Sequence, residues 1–222
     1  MNNVFKIYID KKVSDIMKNP YPTPNNQDNI LTGLDMMGDN IKKKLKFCGE
    51  NVVIHPLCKM IRAENAELDD SAHILDNVFI DAGKSLKLGK YSILTWFVLI
   101  EGGAKTIIGD RVFVGPGTKI LTSTYKLHGY YAAEFLPEEY HATEYGDIVL
   151  EDDAYISANC TIMPGVTIHE GAVAGANTLV NKDLDPWGIY VGSPCRKIGE
   201  RQKPSDEMTN KLKRELNWSN HL

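Results

Sequence analysis

Leu150, Ile156, Ile162, Ile168, Ala174 and Val180 stand six residues apart. Four residues after each of the first five comes a small or β-branched residue: Ala154, Cys160, Val166, Ala172 and Thr178. The same step runs through Leu68, Ile74 and Ile80. After a two-residue slip it runs through Leu88, Leu94 and Ile100, and after another through Ile108, Val114 and Ile120. A unit of six is too short for a helical solenoid, whose repeat holds two helices in roughly 30 residues or more. A hairpin meander would alternate with period two and turn every ~8–12 residues. The pattern instead predicts a short strand, a corner and another short strand, with three such steps closing a triangular coil of about 18 residues. The aliphatic residue points into the prism axis and the small residue sits near a corner. The predicted fold class is an all-β solenoid, a parallel β-helix.

The phase breaks between Leu121 and Ile148 and resumes at Leu150, which follows Ile108 by 42 residues, or seven sixes. The segment 121–148 is therefore read as a loop insertion that keeps the register of the coil. Stacked coils leave an unpaired strand edge at each end, and such edges need cover. Residues 1–50 are expected to form an N-terminal helical cap, broken at the Pro/Asn-rich run Tyr21 to Asn26. Its second piece, Asp28 to Phe47, carries Ile30, Leu31, Leu34, Met37, Ile41 and Leu45 at helical spacing. Residues 51–200 are assigned to the β-helix and 201–222 to a C-terminal helical tail. In that tail Ser205 is a suitable N-cap, Asp206 and Glu207 suit the positive helix end, and Met208, Leu212 and Leu216 form one stripe expected to serve packing.

Composition narrows the function classes. The 222 residues are 43% hydrophobic and 24% charged with a net charge of −4, so no global basic field favours nucleic acid or an anionic membrane. The basic run Ile41 to Lys46 reads as a solvated helix face. No window reaches the ~18 apolar residues of a membrane span, and Ser92 to Ile100 reads as buried strand. The first residues lack the pattern of a secretion signal, and the four cysteines are scattered without a Cys-x-x-Cys pair. The expectation is a cytoplasmic protein with reduced thiols, no zinc site and no disulfide framework.

Two stretches carry a resemblance. The run "IMPGVTIHEGAVAGANTLVNKD" and the following "GSPCRKI", with the interrupted six-residue rhythm, resemble the hexapeptide-repeat acyltransferases over roughly Asn51 to Arg201. Within that family the chain is similar to galactoside and maltose acetyltransferases and to the N-acyltransferases of nucleotide-linked amino sugars. The resemblance implies a left-handed β-helix, a homotrimer with active sites between neighbouring prisms, and acetyl-CoA as cosubstrate, with no metal. The implied activity is acetyl transfer to a sugar hydroxyl or to the amine of a nucleotide-linked amino sugar, in surface polysaccharide biosynthesis. A streptogramin-type antibiotic O-acetyltransferase is the alternative. A non-catalytic β-helical module and a β-helical metalloenzyme are further readings, the last lacking the His-x4-His spacing it needs.

Acetyl transfer to a hydroxyl needs a base for the acceptor proton, a donor for the oxyanion and a groove for the pantetheine arm; histidine and backbone N–H groups are the usual base and donor. The insertion is the place to look, because long loops in compact domains are commonly functional. It carries six aromatic residues, among them Tyr125, Tyr130 and Tyr145, and the acids Glu134, Glu138, Glu139 and Glu144. Such a mixture suits a carbohydrate, and equally a loop packed on a neighbouring subunit. His128 is the first candidate base and His141 the second. In the galactoside enzymes the histidine slot corresponds to Lys126, with His128 two residues on; against the amino-sugar enzymes His128 stands where a serine is found. O- and N-transfer both stay open. The resemblance further places Asp81 at the acceptor, and Tyr125 and Lys126 of the insertion are the other substrate-binding candidates. It places Ala158 and Ala176 along the pantetheine arm, Asn181 and Lys182 near pantetheine and phosphates, and Arg196 on the nucleotide phosphates. His55, His73, His169 and His221 are expected at the surface or at corners, and Trp187 near the last coil.

Overall fold

The computed structural model describes residues 38–133 and 135–215. The chain winds as a left-handed parallel β-helix of about seven turns. Its three faces are built in rotation. Face one stacks Phe47–Cys48, Ala66–Leu68, Ser85–Leu88, Lys105–Ile108, Ile148–Leu150 and Thr167–Ile168. Face two stacks Val53–Ile54, His73–Ile74, Ile93–Leu94, Phe113–Val114, Tyr155–Ile156, Val173–Ala174 and Gly188–Val191. Face three stacks Lys59–Ile61, Phe79–Asp81, Leu99–Glu101, Lys119–Leu121, Thr161–Ile162 and Leu179–Val180.

The six-residue aliphatic series is the axis of this prism. Leu68, Ile74, Ile80, Leu88, Leu94, Ile100, Ile108, Val114, Ile120, Leu150, Ile156, Ile162, Ile168, Ala174 and Val180 are each 1% exposed or less. The small residues at the intervening positions, Ala154, Cys160, Val166, Ala172 and Thr178, are buried as well. Immediately before each lies a residue with positive φ: Asp153, Asn159, Gly165, Gly171 and Asn177. Earlier coils repeat this at Ser71, Asn77, Tyr91, Phe97, Arg111 and Gly117. The left-handed backbone turns each corner, and Asn, Asp and Gly tolerate it best. Buried hydroxyls are paired: Ser92 Oγ donates to the Gly109 carbonyl at 2.6 Å and Thr95 Oγ1 to that of Val114 at 2.7 Å.

The register across the insertion is kept. Ile108 pairs with Leu150, Val114 with Ile156 and Ile120 with Ile162. The two-residue slips have a single location. Ile80 to Leu88 and Ile100 to Ile108 both span the corner from face three to face one, as does the insertion between Ile120 and Leu150. After the insertion the same corner, Ile162 to Ile168, has the ordinary step of six.

The helical pieces predicted before Gly38 lie outside the described residues. Of the Asp28 to Phe47 helix, the described part holds one turn, α1 (Asp39–Lys42), and Phe47–Cys48 is a strand paired on Ala66–Leu68. Gly38 lies against Ile54, at the start of the coil, where a Cβ would meet the Ile54 Cβ at 2.5 Å. At the other end Gly188–Val191 turns back into Arg196–Glu200, an antiparallel closing strand. Then comes α2 (Asp206–Glu215), where Ser205 Oγ accepts the Met208 N–H at 3.2 Å, the cap that its sequence predicts. Met208 and Leu212 are exposed, so the stripe expected to pack finds no cover among the described residues, and Leu216 lies outside them.

Polar groups stack at the corner from face one to face two. Asp70 Oδ1 accepts the Glu50 N–H, Asp110 Oδ1 the Lys90 N–H and Asp152 Oδ1 the Asp110 N–H, at 2.9, 2.7 and 2.8 Å. Each carboxylate thus serves the coil before it. Arg111 grips Asp153 at 2.7 Å. Burial, helped by the Asp152 charge, holds the Asp110 carboxyl above its ordinary value. The cysteines are all free thiols; Cys48 is exposed, and burial with the Asp76 charge pushes Cys58 up to about 12.

Two outcomes follow. Ile156→Ala leaves a void between Val114 and Ala174 and lowers stability by about 2–5 kcal/mol, read as a lower denaturant midpoint. Asp110 with a raised folded pKa favours folding most when protonated, and that contribution is lost as pH rises through the folded pKa. Asp110→Asn keeps the acceptor oxygen and removes the charge. Its stability relative to the parent rises from acid to neutral pH, by less than about 1 kcal/mol because the group is half exposed. Melts across that pH range read the crossing.

Candidate active site

The corner from face three to face one carries most of the candidate chemistry. Asp81 ends its strand there. Arg62, one coil earlier, binds the Asp81 Oδ1 through Nε at 2.7 Å, and the Gly83 N–H donates to the same oxygen at 3.1 Å. The Asp81 carboxylate is thereby committed to holding its own corner. One coil on, Glu101 ends its strand and is exposed. Two glycines follow it, Gly102 and Gly103. The ring of Tyr145 lies over Gly103, where a Cβ would come within 2.8 Å of the ring. Lys84 Nζ stands 5.9 Å from the centre of that ring.

The insertion is a hairpin rising from this corner. Ser123–Tyr125 pairs antiparallel with Thr143–Tyr145. The ladder continues with the Lys126 N–H on the Ala142 carbonyl and the Tyr131 N–H on the Tyr140 carbonyl, each at 2.8 Å. Four residues, Leu127 to Tyr130, therefore bow outward opposite His141. His128 lies in this bow beside Gly129 at φ 83°, and it is exposed; His141 is half-buried on the facing arm. The structure brings the two candidate bases to the same level of one hairpin. Tyr125, half-buried, sits in the ladder, and Lys126 Nζ stands 5.6 Å over the Tyr130 ring. At the base, Gly146 packs on the backbone of Gly165, with no room for a Cβ.

The cofactor candidates divide between two corners. Ala158 and Ala176 stack at the corner from face two to face three, where the Asn177 N–H donates to the Ala158 carbonyl at 2.9 Å. Pro116 continues this ridge below, its carbonyl accepting the Asn159 N–H at 2.8 Å. Arg196 opens the closing strand and is exposed; next to it the Cys195 N–H donates to the Leu179 carbonyl at 3.0 Å. Asn181 and Lys182, both exposed, lie at the far end of Leu179–Val180, on the hairpin's corner. Face three thus separates a ridge of small residues from a ridge with the hairpin and Lys182.

Of the remaining histidines, His221 lies outside the described residues and the others make local contacts. His55, expected at the surface or a corner, is buried; its Nδ1 lies 3.0 Å from Asp76 and its Nε2 has no partner among the described residues. Burial lowers the pKa of His73, whose Nδ1 lies 2.8 Å from the Ser71 carbonyl. His169 Nδ1 lies 3.1 Å from Glu151. Trp187 is buried against Gly171, with Arg201 and Lys203 at 5.4 and 5.2 Å from its ring centre. Among the described residues no group of three His, Cys, Asp or Glu side chains could hold a metal, and no helix is long and apolar enough to cross a membrane. The sequence reading passed over Glu101, Lys84 and the close packing of Tyr145. The available signal was the widened corner spacing together with the paired glycines after Glu101.

An interrupted left-handed β-helix with a histidine-bearing hairpin and a small-residue ridge defines an acyltransferase scaffold, and the comparisons agree. No family model matches the chain. A dTDP-4-amino-4,6-dideoxy-D-glucose acyltransferase of Escherichia coli is 26% identical over 170 residues, 76% of this chain and 88% of that one. A Lysinibacillus sphaericus protein described as a probable macrolide acetyltransferase is 34% identical over 130 residues, 53% of this chain and 71% of that one. Among solved structures, a point mutant of AntD is similar. AntD is an N-acyltransferase from Bacillus cereus, seen there in complex with dTDP-4-amino-4,6-dideoxyglucose and coenzyme A. The match has a TM-score of 0.75 at 25% identity, over 80% of this chain and 96% of that one. The chain belongs to the hexapeptide-repeat acyltransferases.

Gly103→Val tests the hairpin's seat. The added side chain meets the Tyr145 ring and a backbone at φ 153°. The expected result is a stability loss of about 1–3 kcal/mol and faster proteolytic cleavage between Lys126 and Ala142, with the coil itself intact by circular dichroism.

Proposed function

We propose that the chain transfers an acetyl group from acetyl-CoA to a sugar acceptor, either the amine of a nucleotide-linked amino sugar or a sugar hydroxyl, in surface polysaccharide synthesis. The observation that carries this reading is the match to AntD, which spans nearly all of that protein and binds both a dTDP-linked amino sugar and coenzyme A. The residues present fit the cosubstrate. Pro116, Ala158 and Ala176 leave room for an extended thiol arm along one ridge. Arg196 and Lys182 are exposed cations suited to phosphates.

In this reading a hairpin histidine, His128 first and His141 second, takes the acceptor proton. The acceptor attacks the acetyl carbon directly, the C–S bond breaks and the CoA thiolate leaves. Tyr125 and Lys126 flank the acceptor from the same ladder. Exposed backbone N–H groups of the small-residue ridge supply the oxyanion donor. A homotrimer accounts for the separation of the two ridges, because the hairpin ridge of one prism can face the small-residue ridge of the next. The outer side of face two supports it: Ile93, Phe113, Tyr155, Val173 and Ile189 form an apolar column, with Phe113 and Tyr155 stacked at 5.2 Å and Trp96 and Phe97 exposed at its edge. A cytoplasmic location fits the free thiols and the supply of acetyl-CoA. The organisation into a cap, a catalytic β-helix and a helical tail belongs to the same proposal. The 34% identity to the macrolide-type protein favours a second reading, acetylation of an antibiotic hydroxyl of macrolide or streptogramin type.

Thiol release from acetyl-CoA separates these readings. The acceptor panel holds galactosides, dTDP- and UDP-linked amino sugars, a macrolide and a streptogramin. Release is expected with a sugar acceptor and should fall about 100-fold or more in His128→Ala. Retention of the rate in that variant and its loss in His141→Ala moves the base across the ladder. Release with an antibiotic alone selects the second reading. No release with any acceptor, and no acetyl-CoA binding by calorimetry, overturns both.

A further inference from the structure

The ridge of small residues has a foot. Its corners stack in register: the Asn177 N–H donates to the Ala158 carbonyl at 2.9 Å, the Asn159 N–H to that of Pro116 at 2.8 Å and the Gly117 N–H to that of Trp96 at 3.0 Å. From Ala176 through Ala158 to Pro116 the ridge residue is compact, and at Trp96 it becomes an indole. The column beside it changes in the same coil, from Asn177, Asn159 and Gly117 to Phe97. One coil further down stands Asp76, whose carboxylate is occupied. Its Oδ1 accepts the Leu57 N–H at 3.1 Å and its Oδ2 lies 3.0 Å from His55 Nδ1. The bare strip therefore ends at Trp96.

The coil itself does not ask for aromatic residues at this corner. Phe97 has φ 62°, where a bulky side chain is strained and Asn or Gly is not. It is 64% exposed, so burial among the described residues offsets little of that strain, and Trp96 is exposed as well. Strain kept at an exposed pair points to something outside the coil that the pair touches.

The order of groups along the ridge says what that is. Arg196, the cation suited to phosphates, opens the closing strand at the upper end, so the thiol end of the arm points down. The hairpin leaves its prism from the coil of Pro116, directly after Lys119–Leu121. A threefold axis parallel to the prisms keeps that level in the neighbouring chain. The acyl carbon that meets a hairpin histidine then lies at the height of Pro116. Atoms beyond that carbon extend toward Trp96, about 4.8 Å lower, the spacing of neighbouring strands. The indole takes part of that gap, so a methyl group fits and a propyl chain does not.

We propose that Trp96, with Phe97 beside it, is the floor of the acyl subsite and restricts the donor to a short acyl group, acetyl in preference to butyryl. This rests on the acetyltransferase reading and adds to it the residue that sets the acyl length. Trp96 touches the transferred methyl group and takes no part in proton transfer.

The test uses full-length protein with acetyl-CoA, butyryl-CoA and coenzyme A as probes, and the variants Trp96→Ala and Trp96→Leu. Calorimetry reads affinity without an acceptor, thiol release with the acceptor panel reads KM and kcat, and light scattering reads the assembly. The wild type is expected to favour acetyl-CoA over butyryl-CoA by about 100-fold in kcat/KM. Trp96→Ala should narrow that gap about tenfold, chiefly through the butyryl-CoA KM, and Trp96→Leu by less. Coenzyme A carries no acyl group, and its affinity should stay within about twofold in both variants. A wild type that uses both donors equally, or variants that change both in parallel, overturns the floor and leaves acyl transfer standing. Loss of the assembly in both variants also overturns it, and assigns the aromatic pair to subunit contact. A wild type that binds neither acetyl-CoA nor coenzyme A overturns the transfer reading itself.

Discussion

Each coil of the prism lies directly on the next, and this contact fixes the interior. Ile108 sits between Leu88 and Leu150, and Val114 between Leu94 and Ile156. The inward positions of the middle coils therefore have one aliphatic side chain above and one below, with no room for a second shape. A departure in chain length cannot be absorbed inside, so it must leave at a corner and return to the same stack. The insertion does this. It leaves after Leu121, pairs with itself from Ser123 to Tyr145, and re-enters at Ile148. Its ladder is antiparallel and internal, and at its base Thr122 and Asp147 tie it to the coil below, through the Glu101 carbonyl and the Lys105 N–H.

The corners carry the cost of this regularity. Most are turned by a left-handed residue, unfavourable by roughly 1 kcal/mol or more for a side chain with a Cβ. Asn77, Asn159, Asn177 and Asp153 reduce that cost, while Tyr91, Phe97 and Arg111 bear it. The carboxylates of Asp70, Asp110 and Asp152 offset it in part by accepting N–H groups of the preceding coil. Asp110, with Asp152 near it and burial around it, is the least comfortable of these. The acids at this corner are thus explained by backbone pairing.

The fold was legible because its inward positions admit so few residues that the step of six shows through a single chain. Asn and Asp three residues after an inward position, as at Asp153, Asn159 and Asn177, carried the corner signal too. The meeting of the slips at one corner was hidden, since it depends on which face each strand joins. The hairpin had no usable period: its contacts are antiparallel and its side chains mostly exposed. That is why His128 and His141 stood as separate candidates in the sequence and share one ladder in the structure. Asp81 was chosen by resemblance, yet its carboxylate is bound by Arg62, a pairing between residues 19 apart that no local motif announces.

The separation of the two ridges bears on how the proposed enzyme must be assembled. Leu179–Val180 has Ala176 before it and Lys182 after it, and six residues of extended chain cover roughly 20 Å. A thiol arm laid along Ala158 and Ala176 on one prism would therefore present its thioester far from the hairpin of that same prism. A threefold arrangement removes the difficulty, because the hairpin ridge of one subunit then lines a cleft whose other wall is the small-residue ridge of its neighbour. The acceptor would be read by the hairpin histidines of one chain, and the acyl donor held by another. Chemistry would then be confined to the assembled protein, with the apolar outer side of face two supplying the contact that brings the walls together.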